Sequence, residues 1–223
     1  MVGELSLGGG GTEDYTALKY FSRNIKKMLY IPLAFPTTDY SKCLKWCKVH
    51  FKRFGITDIT MLDDVNVNYD LKHFDAVYIG GGSTYKVLKF LKESGYDKKL
   101  IKYYKNGGRI GGGSAGAILL GKNIDVGIIC EDRDENIVGL KDVNGLDLCF
   151  GWDIQVHYKD EHLELNKNYV VKNNRNIIAI PDDSSVVING NEFKVIGDSP
   201  ITLIYKDSEK KIPINEIFLL NQE

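Results

Sequence analysis

The chain has 223 residues, a length that suits one α/β domain and can bury a substantial core without disulfides. Its 29 lysines and arginines nearly balance its 30 aspartates and glutamates. No excess of cations is therefore available to neutralise phosphates, which argues against a nucleic-acid or membrane-surface binder. We expect a single domain over residues 1–223 whose partner is a small molecule.

The cysteines and the N-terminus indicate a reducing compartment. No two cysteines form a Cys-x-x-Cys pair, and no histidine stands beside one at zinc-ligand spacing. This pattern predicts reduced thiols and no bound metal. Residues 1–4 carry no basic segment, and the apolar runs are too short to cross a bilayer. We therefore expect a cytoplasmic protein.

Strands alternate with helical stretches over the first half of the chain, which is typical of a mostly parallel sheet covered by helices. The predicted strands cover residues 4–7, 27–35, 59–62 and 76–79, and a fifth begins at 109. The predicted helices cover residues 15–25, capped by Thr12, then 39–54 and about 84–91, and a fourth precedes Gly107. After about residue 123 the helices thin out, and a hairpin signal appears at Asn189-Gly190. We expect extra, mostly antiparallel strands in the C-terminal half.

The most informative stretch is Gly-Gly-Gly-Ser-Ala-Gly-Ala, which begins at Gly111. As Gly112-x-Ser114-x-Gly116 it is a nucleophile elbow, whose serine is forced to positive φ and whose neighbours must be small. As Gly111-x-Gly113-x-x-Gly116 it is a dinucleotide fingerprint, which usually follows the first strand of its unit. Its place near the fifth strand favours the elbow, with Ser114 as nucleophile. Nucleotide binding and a tight turn without chemistry remain as alternatives.

A second glycine loop, at residues 80–82, also joins a buried strand to a helix. Acyl transfer requires two N–H donors directed at the developing oxyanion. One would be the amide of Ala115, directly after the nucleophile. The other would come from Gly81 or Gly82, provided that the two strands are neighbours in the sheet.

A serine nucleophile needs a base, and four histidines are available. His157 follows a strand-like run downstream of the elbow, in the chain order of elbow hydrolases, and His162 is the reserve candidate. His50 and His73 lie upstream, where structural or solvated roles suit them better. The acid is expected between the serine and the histidine, where residues 131–135 read Glu-Asp-Arg-Asp-Glu.

Three motifs in this order and spacing resemble peptidase family S51, the dipeptidase E group of serine peptidases, which includes aspartyl dipeptidases and cyanophycinases. The motifs are Gly80-Gly81-Gly82-Ser83-Thr84, Gly113-Ser114-Ala115-Gly116-Ala117 and Val156-His157-Tyr158. The resemblance implies a doubly wound, mostly parallel sheet with helices on both faces, similar to class I glutamine amidotransferases. It also implies a Ser-His-acid triad of Ser114, His157 and Asp134, with Glu131 and Glu135 as alternative acids.

The sequence departs from the family downstream of the histidine. The dipeptidases of the family recognise an N-terminal aspartate there through basic and polar groups. Residues 159–164 read Lys-Asp-Glu-His-Leu-Glu, and no arginine follows until Arg175. Lys159 and Arg175 are the candidates for that role. Ser83 stands where the family usually has asparagine after the triple glycine.

The expected function is that of a serine-type dipeptidase acting on short peptides with a free N-terminus, with Asp-X peptides as the class that the resemblance implies. Ser114 would form an acyl-enzyme, and His157 would serve as general base. Two alternatives stay open: an esterase or amidase with the same chemistry, and a non-catalytic nucleotide-binding module. We expect no metal and no cofactor, and either a monomer or a homodimer.

Overall fold

A computed structural model describes residues 2–11, 15–37, 39–129 and 134–219. The strands are β1 Glu4–Gly8, β2 Lys27–Ile31, β3 Asp58–Met61, β4 Ala76–Ile79, β5 Arg109–Gly113, β6 Asp153–Gln155, β7 Ile177–Ala179, β8 Ser184–Asn189, β9 Glu192–Gly197, β10 Ile201–Ile204, β11 Glu209–Ile212 and β12 Ile217–Leu219. The helices are α1 Tyr15–Phe21, α2 Ser41–Lys52, α3 Thr84–Ser94, α4 Tyr96–Lys105, α5 Ala115–Leu120 and α6 Leu163–Asn173. The predicted cap Thr12 lies outside the described residues.

The larger of two sheets contains eight strands in the order β12-β9-β8-β1-β5-β4-β2-β3. The five strands from β1 to β3 in that order run parallel, and β8, β9 and β12 extend the sheet antiparallel. The smaller sheet has the order β11-β10-β7-β6. The predicted fold class, a doubly wound and mostly parallel sheet with extra antiparallel strands in the C-terminal half, is confirmed.

Helices pack against the larger sheet through a continuous apolar core. Phe21 of α1 and Phe51 of α2 stand edge-on to Tyr78 of β4, with ring centroids 5.4 and 4.9 Å apart. Helix α3 packs against α4 and α5, and α5 also contacts β1, β4 and β5. Edge-to-face aromatic packing of this kind adds to the gain from burial alone. No helix in the described part of the chain is both long and apolar enough to cross a membrane.

Two elements differ from the sequence prediction. Strand β2 ends at Ile31 rather than at residue 35, because Pro32 has no N–H to continue the ladder. Helix α6 was not expected, since its apolar residues do not form one stripe: Leu165 and Val171 are exposed while Asn166 is buried. The predicted hairpin is present as β8 and β9, joined at Asn189-Gly190.

Candidate active site

Ser114 lies in the tight turn between β5 and α5, with φ 51° and ψ −119°. A Cβ on Gly112 would lie 2.4 Å from a backbone atom of Gly116, and one on Gly116 would lie 2.2 Å from the carbonyl oxygen of Ile79. The glycines therefore let α5 pack directly against the sheet and hold the serine in a backbone conformation that costs about 1–3 kcal/mol. This packing accounts for Gly116 of the overlapping dinucleotide fingerprint, and a Cβ on Gly111 or Gly113 would lie within 2.8 Å of aromatic side chains.

His157 follows β6 and faces the serine. Its Nε2 lies 2.9 Å from Ser114 Oγ, and its Nδ1 lies 2.5 Å from Asp182 Oδ1. The structure thus brings together the predicted nucleophile and the predicted base, in the order serine, imidazole, carboxylate. The Asp182 side chain is 59% exposed and that of His157 is 36% exposed, so solvent reaches the carboxylate more freely than the ring.

The carboxylate beside the imidazole is not one of the three acids expected from the sequence. Asp134 accepts hydrogen bonds through Oδ2 from the backbone N–H groups of Thr84 and Tyr85, in the first turn of α3. Glu135 is exposed, and Glu131 lies outside the described residues. Asp182 was not predicted, because the acid was expected only between the serine and the histidine. The available signal was the acidic pair at residues 182–183, which follows the apolar run 177–180 after one proline.

Asp182 reaches the site because β8 pairs antiparallel with β1. Gly8 at the end of β1 lies opposite Ser185 in β8, so the start of β8 meets the carboxyl end of the parallel strands. The N–H of Gly11 donates to the backbone oxygen of Asp182 at 3.0 Å, and the N–H of Gly9 donates to that of Ser184 at 2.9 Å. These bonds tie the segment that carries the carboxylate to the glycine loop after β1.

The glycine loop after β1 is a further part of the site, and no role was predicted for it from the sequence. Gly10 has φ 106°, and a Cβ there would lie 2.6 Å from Cε1 of His157 and 2.9 Å from Cβ of Ser114. Only glycine allows this close approach at this φ. The signal was the run of four glycines following a strand that pairs with the strand before the elbow.

The predicted oxyanion donors lie beside the serine. Strands β4 and β5 are parallel neighbours, which was the condition for the loop after β4 to contribute a donor. A Cβ on Gly81 would lie 3.2 Å from Cβ of Ser114, and Gly82 has φ 133° with its backbone against Ala34. No described residue accepts a hydrogen bond from the N–H of Gly81, Gly82 or Ala115. All three amides remain available to a ligand, and their role stays a prediction.

The remaining histidines are engaged elsewhere. His162 is buried, and its Nδ1 accepts a 3.4 Å hydrogen bond from the N–H of Lys159. The ring of His50 lies 4.7 Å from that of Trp46, centroid to centroid, and burial lowers the pKa of His50. His73 is mostly exposed and lies 3.8 Å from Asp70. Neither the reserve candidate nor the upstream histidines contact the serine.

The two cations considered for substrate recognition are also paired. Arg175 donates from Nε to the fully buried carboxylate of Asp153 at 2.8 Å, and Tyr169 donates its hydroxyl to the same carboxylate at 2.9 Å. Burial raises the pKa of Asp153, and Arg175 opposes that shift. Lys159 is exposed and lies 3.7 Å from Glu161. Arg175 therefore serves a structural ion pair within the described part of the chain.

Two cavities open beside Ser114. The larger has a volume of about 430 Å³ and lies among the loops after β1, β2 and β4. The smaller, of about 200 Å³, is bounded by the start of α3, by α5 and by the strand that leads to His157. No group of histidines, cysteines and carboxylates within the described residues is arranged to hold a metal ion.

A family model for peptidase family S51 matches residues 5–196. The chain belongs to peptidase family S51. Among solved structures, this S51 chain is similar to a peptidase E candidate from Listeria monocytogenes EGD-e, at 23% identity and a TM-score of 0.71, over 89% of this chain and 100% of that one. It is also similar to a peptidase from an acI-B1 Actinobacterium, at 17% identity and a TM-score of 0.69, over 99% of this chain and 98% of that one. At these identities the two structures establish the shared fold, and the family match supports a peptidase.

Proposed function

We propose that this S51 member is a serine peptidase of short peptides in which Ser114, His157 and Asp182 form the catalytic triad. The observation that carries the proposal is the pair of contacts on one imidazole, 2.9 Å to the serine oxygen and 2.5 Å to the carboxylate. A serine is a weak nucleophile alone and gains activity from a base within hydrogen-bond reach. The carboxylate on Nδ1 fixes the tautomer that leaves Nε2 free to accept the proton.

In this mechanism Ser114 Oγ attacks the peptide carbonyl carbon while His157 takes the hydroxyl proton. The oxygen that becomes negative is stabilised by the N–H groups of Ala115 and of Gly81 or Gly82, each of which has no acceptor among the described residues. His157 then gives its proton to the leaving amine, and the C–N bond breaks. Water, deprotonated by the same imidazole, hydrolyses the acyl-enzyme and restores Ser114.

The test is intact-mass spectrometry after exposure to a fluorophosphonate. Wild type should gain one adduct, and Ser114→Ala should gain none. Ser83→Ala is the matched control, because Ser83 lies in the neighbouring glycine loop and its hydroxyl accepts the N–H of Lys86 at 3.2 Å. That variant should keep the adduct and lose about 0.5–2 kcal/mol of stability as a weakened helix cap. An adduct on Ser114→Ala, or none on folded wild type, would count against the triad.

The ester or amide alternative uses the same residues and differs in the acyl donor. A comparison of p-nitrophenyl esters with dipeptides separates them, and we expect the dipeptides to be hydrolysed. If the esters are hydrolysed and no dipeptide is, the esterase or amidase alternative would replace the peptidase proposal.

A further inference from the structure

The larger cavity beside Ser114 is apolar. Its walls include the side chains of Leu18, Tyr30, Phe35, Cys43, Trp46 and Tyr78. Burial raises the pKa of both Tyr30 and Cys43, so these groups stay neutral at physiological pH. A volume of about 430 Å³ lies within the range of small-molecule sites, whose lining is mainly apolar and aromatic.

Lys42 is the single charged residue that lines this cavity within the described part of the chain. It is exposed and lies in the first turn of α2, where the helix dipole also favours a negative charge. It forms no salt bridge with any described residue, although its charge helps to lower the pKa of the nearby Asp39, after the hydrogen bonds that Asp39 accepts from Ser41. An apolar cavity lined by one cation that forms no salt bridge with the described residues fits a large apolar group that carries a carboxylate.

The smaller cavity has more polar groups in its walls, including a carboxylate. Asp134 lines it and uses only Oδ2 toward α3, so Oδ1 accepts no hydrogen bond from the described residues. Thr84 also lines it, and its hydroxyl is fully buried without a partner among those residues. A carboxylate and an unpaired hydroxyl next to the nucleophile are acceptors for an ammonium group.

The two cavities together give a direction to a bound dipeptide. The amino group of a dipeptide lies on the acyl side of the scissile bond, and its carboxylate lies on the leaving side. Binding of the dipeptide's ammonium group beside Asp134 places its first residue in the cavity of about 200 Å³. The second residue then enters the aromatic cavity, and its carboxylate extends toward Lys42.

We propose that this enzyme selects dipeptides with a small first residue and a large apolar second residue that carries a free carboxylate. The inference rests on the proposed peptidase function for the position of the scissile bond. It differs from recognition of an acidic first residue by an arginine, because Arg175 is held by the buried Asp153. The aromatic cavity selects the leaving residue, and Lys42 selects its free carboxylate.

The first experiment measures kcat/KM of wild type for Ala-Phe, Ala-Leu, Ala-Gly, Asp-Phe, Asp-Gly and Phe-Ala. Burial of a large apolar side chain predicts at least a tenfold preference for Ala-Phe over Ala-Gly, and the same preference within the Asp series. Ala-Phe should also exceed Phe-Ala. Equal rates for phenylalanine and glycine at the second position, or a preference for Phe-Ala over Ala-Phe, would overturn the proposal.

The second experiment compares Lys42→Glu with Lys45→Glu, which makes the same charge change at an exposed position of the same helix outside the cavity. Wild type and Lys45→Glu should prefer Ala-Phe over its C-terminal amide. Lys42→Glu should lower that preference by roughly threefold or more, as expected for loss of an exposed ion pair. If Lys42→Glu leaves the ratio of Ala-Phe to its amide unchanged, the substrate carboxylate does not bind at this end of the cavity.

A binding measurement separates this inference from the proposed function. Trp46 lines the cavity, while the other tryptophan, Trp152, is buried against Tyr205. Titration of Ser114→Ala with Ala-Phe and Ala-Gly should change the Trp46 fluorescence, with at least tenfold tighter binding of Ala-Phe, and adding Trp46→Phe should abolish the signal. If wild type cleaves no dipeptide but this preference persists, the peptidase function fails and the cavity assignment holds. Cleavage without any binding preference overturns the cavity assignment alone.

Discussion

Replacing Asp182 by asparagine should slow acylation by about a hundredfold. The carboxylate lies 2.5 Å from Nδ1 of His157, and a hydrogen bond to a charged group contributes ~1.5–3 kcal/mol. At about 1.4 kcal/mol per factor of ten, this corresponds to ~10- to 150-fold. Asparagine can also donate to Nδ1 and hold the wrong tautomer, which costs roughly 10⁴-fold in a buried triad. Because Asp182 is 59% exposed, water can replace part of its role, so we expect the loss to stay near the upper end of the first range and not to reach the second.

The assay is the second-order rate of labelling by a fluorophosphonate, which carries no amino group and therefore does not depend on Asp134 as an ammonium partner. Asp134→Asn should react within a few-fold of wild type, since asparagine is as good a partner for the start of α3 as aspartate. Asp183→Asn is the matched control, because its carboxylate accepts from Ser199 Oγ at 2.7 Å rather than from the imidazole. A collapse of labelling in Asp134→Asn with near-normal labelling in Asp182→Asn would refute the reasoning and restore the acid that the family resemblance implied.

Two further substitutions test the supports of the site. Gly10→Ala would introduce a Cβ 2.6 Å from Cε1 of the His157 imidazole. The kcat of this variant should fall by about a hundredfold, as for a displacement of about 1 Å at a reacting group. Gly151→Ala is the control: Gly151 has φ 82°, a Cβ there would meet no atom within 4 Å, and kcat should be unchanged. Asp153→Ala removes the buried carboxylate that pairs with Arg175 and should cost about 3–5 kcal/mol in urea unfolding. The exposed Asp160→Ala should cost less than about 1 kcal/mol. Normal kcat in Gly10→Ala, or equal costs for the two aspartates, would contradict these expectations.

The fold could be predicted where local pattern and tertiary environment agree. Strand β4 is a short apolar run that is buried throughout, so its sequence alone indicates a central strand. Helix α6 could not be predicted this way, because Leu165 is exposed and Asn166 is buried with its side chain bonded to the backbone oxygen of His162. Its position depends on contacts with β10, which the local sequence does not encode.

The residues of the candidate site differ in the same way: local sequence marks two of them, and the third depends on tertiary contacts. Ser114 could be found because an elbow imposes severe local steric demands, and the run of glycines meets them. His157 could be found because few histidines follow the elbow. Asp182 is exposed and lies 25 residues beyond the histidine, so no local constraint marks it, and only the pairing of β8 with β1 reveals its proximity.

That pairing also explains why chain order is a weak guide to the carboxylate that meets the imidazole. The loops after three adjacent parallel strands, β1, β5 and β4, meet at one edge of the larger sheet and supply Gly10, Ser114 and Gly81. Since β8 runs antiparallel to β1, the segment before it reaches the same edge from the opposite direction. A carboxylate on that segment can approach the imidazole from beyond the histidine in sequence as closely as one that precedes it. What an acid needs at this site is therefore a position on any backbone segment that ends at this edge, and Asp182 satisfies that condition.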